Sequence, residues 1–90
     1  MRTILLDLKA AETMEEMQNM LKETLGFPDY YGGNLDACYD MLTEITEDLH
    51  IEVSSPDKKE LKRYFEKLCR VFADAQEENS HLAVRVQMQE

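Results

Sequence analysis

Three short stretches of period-two alternation, separated by stretches of helical period, constrain this chain more than anything else in it. Residues 2–8 set Ile4, Leu6 and Leu8 against Thr3, Leu5 and Asp7. Residues 49–53 set Leu49, Ile51 and Val53 against His50 and Glu52. Residues 82–88 set Leu82, Val84, Val86 and Met88 against His81, Ala83, Arg85 and Gln87. Such alternation belongs to strands with one buried and one solvated face.

The intervening stretches read as helices. Thr13 with Glu16 three residues on forms a capping box, and Met14, Met17, Leu21 and Leu25 recur at helical spacing until Gly26 and Pro28 end the run. Asn34 can cap a second helix that carries Leu35, Cys38, Met41, Leu42 and Ile45 on one face. Ser55-Pro56 predicts a cap and a first-turn proline ahead of one helix over about 57–78, with Leu61, Tyr64, Phe65, Leu68, Val71, Phe72 and Ala75 as its apolar stripe. The order is β-α-α-β-α-β.

Helical crossovers between consecutive strands favour a parallel sheet with right-handed connections, and two crossovers stepping the same way put their helices on one face. The polar side of each strand agrees, because a doubly wound sheet would read apolar throughout. The expected fold is a two-layer α/β domain, a three-stranded parallel sheet with helices packed on one face. Its 90 residues contain no linker or repeat, so a single domain over 1–90 is expected.

Composition excludes several classes of function. A net charge of −9 makes nucleic acid or an anionic membrane face an unfavourable partner and a basic protein a favourable one. The opening MRTILLDLKA is too short and too charged for a signal peptide or membrane span, so an intracellular, cytoplasmic chain is expected. Cys38 and Cys69 form no CxxC and have no His at ligand spacing, so they read as reduced, packed thiols. His50 and His81 lie at strand starts with no ligand set around them and read as surface or edge residues; no metal or cofactor is implied.

The charge is not spread evenly. Between Glu23 and Asp57 stand Glu23, Asp29, Asp36, Asp40, Glu44, Glu47, Asp48, Glu52 and Asp57 with no Lys or Arg, while acids and bases balance elsewhere. Asp36, Asp40 and Glu44 stack at i, i+4 and i+8 along one edge of the second helix. Each like-charge neighbour costs a helix roughly 0.2–0.5 kcal/mol. The helix dipole excuses Asp36, in the first turn, but not Asp40 or Glu44. Tyr39 beside Asp40, and Tyr30 and Tyr31 in the preceding turn, add rigid aromatic area with hydrogen-bonding tips, which suits a protein interface facing a basic partner. Tyr31 is assigned to the core, and Gly32-Gly33 supplies the freedom of a turn.

The run FPDYYGGNLDACYDMLTE, residues 27–44, resembles the signature of the barstar family, intracellular inhibitors of barnase and related small bacterial ribonucleases, and a looser likeness extends over the whole chain. The resemblance implies an RNA mimic, a bacterial immunity protein whose acidic helix and loop plug a ribonuclease active site built to grip phosphate. By resemblance, Asp40 matches the central aspartate that enters the phosphate site and Asp36 a second carboxylate. Tyr30 matches the tyrosine that packs on the catalytic histidine, Gly32 and Asn34 the loop contacts, Thr43 and Glu44 the contact rim, and Asp74 a glutamate that pairs with an enzyme arginine. Departures from the pattern are Tyr39 and Ile45 for tryptophans, Glu44 for a common glycine, Gly33 for a glutamate, and a shorter segment before Val71-Phe72.

The expected function is therefore stoichiometric inhibition of a basic, barnase-like ribonuclease by a protein that is monomeric when free. A different basic partner, a toxin or a regulatory protein, is the alternative, since a fold does not fix function. An enzyme built on Asp36 and Asp40, or a Mg²⁺ site adding Glu44, is disfavoured. No His or Lys lies near these acids in sequence, and ligands from one helix cannot surround an ion.

Overall fold

A computed structural model describes residues 2–87. Strand β2 (Leu49–Ser54) lies between β1 (Arg2–Asp7) and β3 (Leu82–Gln87), and both pairings are parallel. The register sets Arg2, Leu49 and Leu82 side by side, then Ile4, Ile51 and Val84, then Leu6, Val53 and Val86. These rows face the helices, and Leu6, Leu49, Ile51, Val53 and Leu82 are buried. The alternate rows, such as Leu5, Glu52 and Arg85, form the opposite face, where Leu5 is 70% exposed. This is the two-layer arrangement expected. Met88, assigned to the last strand, lies outside the described residues.

Helix α1 (Met14–Leu25) starts at Thr13, whose hydroxyl accepts from the Glu16 amide at 3.0 Å. Glu16 returns its carboxylate to the Glu12 amide at 2.6 Å, one residue before the expected reciprocal partner. Gly26 ends the helix with φ +71°, a left-handed position that suits glycine. Met17 and Leu21 are buried as expected. Met14 is not: in the first turn it is 54% exposed, and Gln18 occupies the inward position instead.

Helix α2 (Leu35–Thr43) buries Cys38 and Leu42, with Leu35, Met41 and Ile45 half-buried against the same core. Helix α3 (Lys62–Glu78) follows a 3₁₀ turn over Lys59–Leu61 and buries Phe65, Leu68, Phe72 and Ala75. Fully burying each such large side chain contributes about 1.5–3 kcal/mol, which is what holds the helical layer on the sheet.

One further expectation is corrected. Ser55-Pro56 does not start the third helix, which begins six residues after Pro56. The Ser55 amide donates to the Gln87 carbonyl (3.3 Å) and the Asp57 amide to the Lys9 carbonyl (3.2 Å), so this segment is still tied to the strand ends and cannot coil. Pro56 is fully buried and Ser55 has no exposed surface. Of the two readings given for His50, surface or edge, the first holds: β2 is the central strand, and His50 lies part-exposed on the outer face of the sheet, 3.8 Å from Glu52.

Candidate partner-binding face

The acidic face is built by the loop between α1 and α2, by α2 itself and by the end of α3. After Gly26, Phe27 turns inward and is buried, and the Tyr31 amide donates to the Pro28 carbonyl at 2.9 Å. This closes a turn with Tyr30 near its apex, 84% exposed. Tyr31 points the other way, its ring tilted against Phe27 with centroids 4.8 Å apart. Gly33, at φ +68°, carries the backbone into Asn34, whose side chain accepts from the Ala37 amide at 2.8 Å. The asparagine thus caps α2 as its position in the sequence suggests, and its amide nitrogen stays available to a partner.

Along α2, Asp36, Asp40 and Glu44 are exposed. None makes an ion pair among the described residues, whereas Glu47, Asp48 and Glu52 in the same acidic stretch meet Arg2, His81 and His50 respectively. Asp40 and Glu44 share a cleft of about 210 Å³ with Tyr30, Tyr31, Gly32, Ala37 and Met41. Four residues singled out in the sequence (Tyr30, Gly32, Asp40 and Glu44) therefore come together around one depression. Thr43 is less free than its rim assignment implies, because its hydroxyl points back to the carbonyls of Tyr39 (3.1 Å) and Asp40 (3.0 Å). Its oxygen can still accept.

Tyr39 marks where α2 meets α3. It is half-buried against the core, and its pKa is raised, first by partial desolvation and then by the negative charges of Glu78, Asp74, Asp40 and Glu77. Asp74 is thus joined to the α2 acids through Tyr39, and it does not stand alone: Glu77 and Glu78 form a second acidic row beside it. These two were missed in the sequence. The signal was present, because α3 ends in acids with no base in its last turn, against the helix dipole. Lys62, Arg63, Lys67 and Arg70 outnumber Glu66 in the first half of the same helix, so its net negative charge gathers at the end that adjoins α2.

The arrangement suits binding rather than bond-breaking. The carboxylates are solvent-facing with no imidazole or ammonium paired to them, and no group of three or more His, Cys, Asp or Glu able to hold a metal occurs among the described residues. No described helix is long and apolar enough to cross a membrane. Both cysteines are free thiols: Cys38 is buried, Cys69 half-buried.

A sequence profile of the Barstar (barnase inhibitor) family matches residues 1–89. The chain belongs to the barstar family. Barstars are inhibitor proteins rather than enzymes, in keeping with a face of exposed carboxylates on a small rigid scaffold. A relative from Bacillus subtilis (strain 168), named "Putative ribonuclease inhibitor YrdF", is 51% identical over 43 residues. That match covers 48% of this barstar-family chain and 47% of the relative, so the likeness spans about half the length of each.

Proposed function

We propose that this protein inhibits a small basic ribonuclease stoichiometrically, by seating the Tyr30–Asn34 loop and the acidic edge of α2 in the enzyme's phosphate-binding groove. The observation that carries this reading is the ridge of Asp36, Asp40 and Glu44: exposed, aligned and without an internal cation among the described residues. A ridge of like charges is a liability to the isolated helix and an asset only against a basic surface. Membership of the barstar family and the name of the Bacillus relative support a ribonuclease as that surface.

In this reading Asp40 is the central anion, flanked by Asp36 on one side and Glu44 on the other. Tyr30 supplies an exposed ring for stacking on an imidazole or guanidinium, Gly32 and the free amide nitrogen of Asn34 give loop contacts, and Thr43 lies at the rim. Tyr39, with Asp74, Glu77 and Glu78, extends the negative surface toward a second cluster of enzyme cations. Glu44 projects a carboxylate into the cleft where the family commonly has glycine, so the target carries a matching cation there. The protein acts as a monomer, in the cytoplasm, with no cofactor.

The test is a titration of RNA cleavage by a small basic ribonuclease of the barnase type. Activity should fall linearly to zero at one equivalent of inhibitor. Undiminished cleavage at a large excess, across the basic ribonucleases of the host, would leave the alternative of a different basic partner.

A further inference from the structure

Among the buried residues, Gln18, Ser55 and Asn79 stand out as polar. Asn79 bonds backbone carbonyls and Ser55 accepts from Lys62, but Gln18 joins two side chains from distant parts of the chain. Its amide nitrogen donates to the Tyr64 hydroxyl on α3 at 2.7 Å, and its amide oxygen accepts from the Tyr31 hydroxyl at 2.5 Å. The Tyr31 hydroxyl also lies 3.4 Å from the Asn34 carbonyl, the acceptor that opens α2. One buried amide therefore ties α1, α3 and the loop together at Tyr31, the residue between Tyr30 and Gly32.

A buried amide is costly unless both ends are bonded, and an apolar side chain of similar length would fill the same space without that requirement. The amide directs the Tyr31 hydroxyl together with the Asn34 carbonyl and the neighbouring Cys38 thiol, and of these three it alone also bonds α3, through Tyr64, so it helps to keep that ring turned inward. With Tyr31 held, the chain geometry turns Tyr30 outward and presents Gly32 beside the cleft. A loop ordered before binding does not lose that freedom on association.

We infer that Gln18 is a positioning residue for the partner-binding face, holding the Tyr30–Asn34 loop in its binding conformation through Tyr31. The inference rests on the inhibitor reading above. Gln18 itself is only 4% exposed, so it acts through Tyr31.

The experiment uses the full chain and the ribonuclease it inhibits. Gln18→Met removes both amide bonds at similar length, Tyr31→Phe removes only the hydroxyl, and the double variant joins them. Val86→Ala on β3 serves as a destabilised control away from the loop. Gln18→Met and Tyr31→Phe should each speed dissociation by about tenfold, and the double variant should be no worse than the weaker single. In the free protein, amide exchange at Gly32 and Gly33 should accelerate in both singles, while Val86→Ala should bind as the wild type. The inference is overturned if Gln18→Met binds normally, or if Val86→Ala loses as much affinity. If Gln18→Met does not fold, Tyr31→Phe alone decides, and normal binding by it overturns the inference. A wild type that inhibits nothing overturns the inhibitor reading itself, and this inference with it.

Discussion

The side chain of Asn79, just past the end of α3, donates to the backbone carbonyl of Leu42 on α2 at 2.9 Å. The same amide group donates to the Ile45 carbonyl at 2.9 Å, and its oxygen accepts from the His81 amide at 3.0 Å. Three obligations of the backbone are met by one buried side chain, which locks the end of α2 to the end of α3. That lock sets the acids of α3 beside Tyr39 and makes one face of two acidic rows.

Asn79→Ala should cost about 2–3 kcal/mol, since it leaves buried carbonyls without donors. Urea denaturation would show the loss as a lower midpoint at unchanged slope. Unchanged stability would mean that the contact is not holding the helix ends.

Asp40→Asn should leave the free protein at least as stable, because it removes like-charge repulsion with Asp36 and Glu44 worth about 0.2–0.5 kcal/mol per neighbour. Inhibition should weaken by a hot-spot amount, about 2 kcal/mol or more, roughly 30-fold. Clear destabilisation in a thermal melt, or full inhibition by the variant, would contradict the role given to Asp40.

Gly32 and Gly33 should respond oppositely to alanine. A Cβ on Gly32 would meet only ordinary contacts at 3.5 Å, and its φ is not positive, so Gly32→Ala should be neutral or stabilising by about 0.4–1 kcal/mol. Gly33 sits at φ +68°, and Gly33→Ala should cost about 1 kcal/mol or more. Glycine at position 32 is thus not demanded by the fold. If close approach of a partner is the reason for it, Gly32→Ala should weaken inhibition while leaving the melting temperature intact.

Burial pushes the thiols of Cys38 and Cys69 up from 9.0 to about 11. Tyr31 is raised as well, first by burial and then by the neighbouring Cys38. As pH rises the unfolded chain ionises first, so the stability linked to the two thiols is intact below about pH 9 and is lost as pH climbs toward 11, and that linked to Tyr31 starts to fall only above about pH 10. Denaturation midpoints across that range should fall, and Cys38→Ala should flatten the decline. At neutral pH, alkylation of Cys38 should be slow until the protein is unfolded.

Local signals carried most of the fold. The strand alternation, the caps at Thr13 and Asn34 and the stop at Gly26 each depend on residues within four positions, and the structure keeps them all. Ser55-Pro56 misled because its backbone bonds go to Gln87 and Lys9, partners far away in the chain that no local pattern reveals. The ridge of Asp36, Asp40 and Glu44 was legible from helical spacing, and its exposure followed from the apolar stripe on the other side. Glu77 and Glu78 were legible only as an acidic end to the third helix, because their relation to Tyr39 exists only once α3 packs on α2. Gln18 was invisible for the same reason: its partner Tyr64 is 46 residues away.

The contact face itself can be mapped by transferring saturation from an unlabelled ribonuclease to the amides of the labelled inhibitor. The account predicts signal loss confined to Tyr30 through Asn34, the exposed edge of α2 from Asp36 to Glu44, and the end of α3 around Asp74 and Glu78. Loss centred instead on the outer sheet face around Leu5, Glu52 and Arg85, with the α2 edge unaffected, would contradict it.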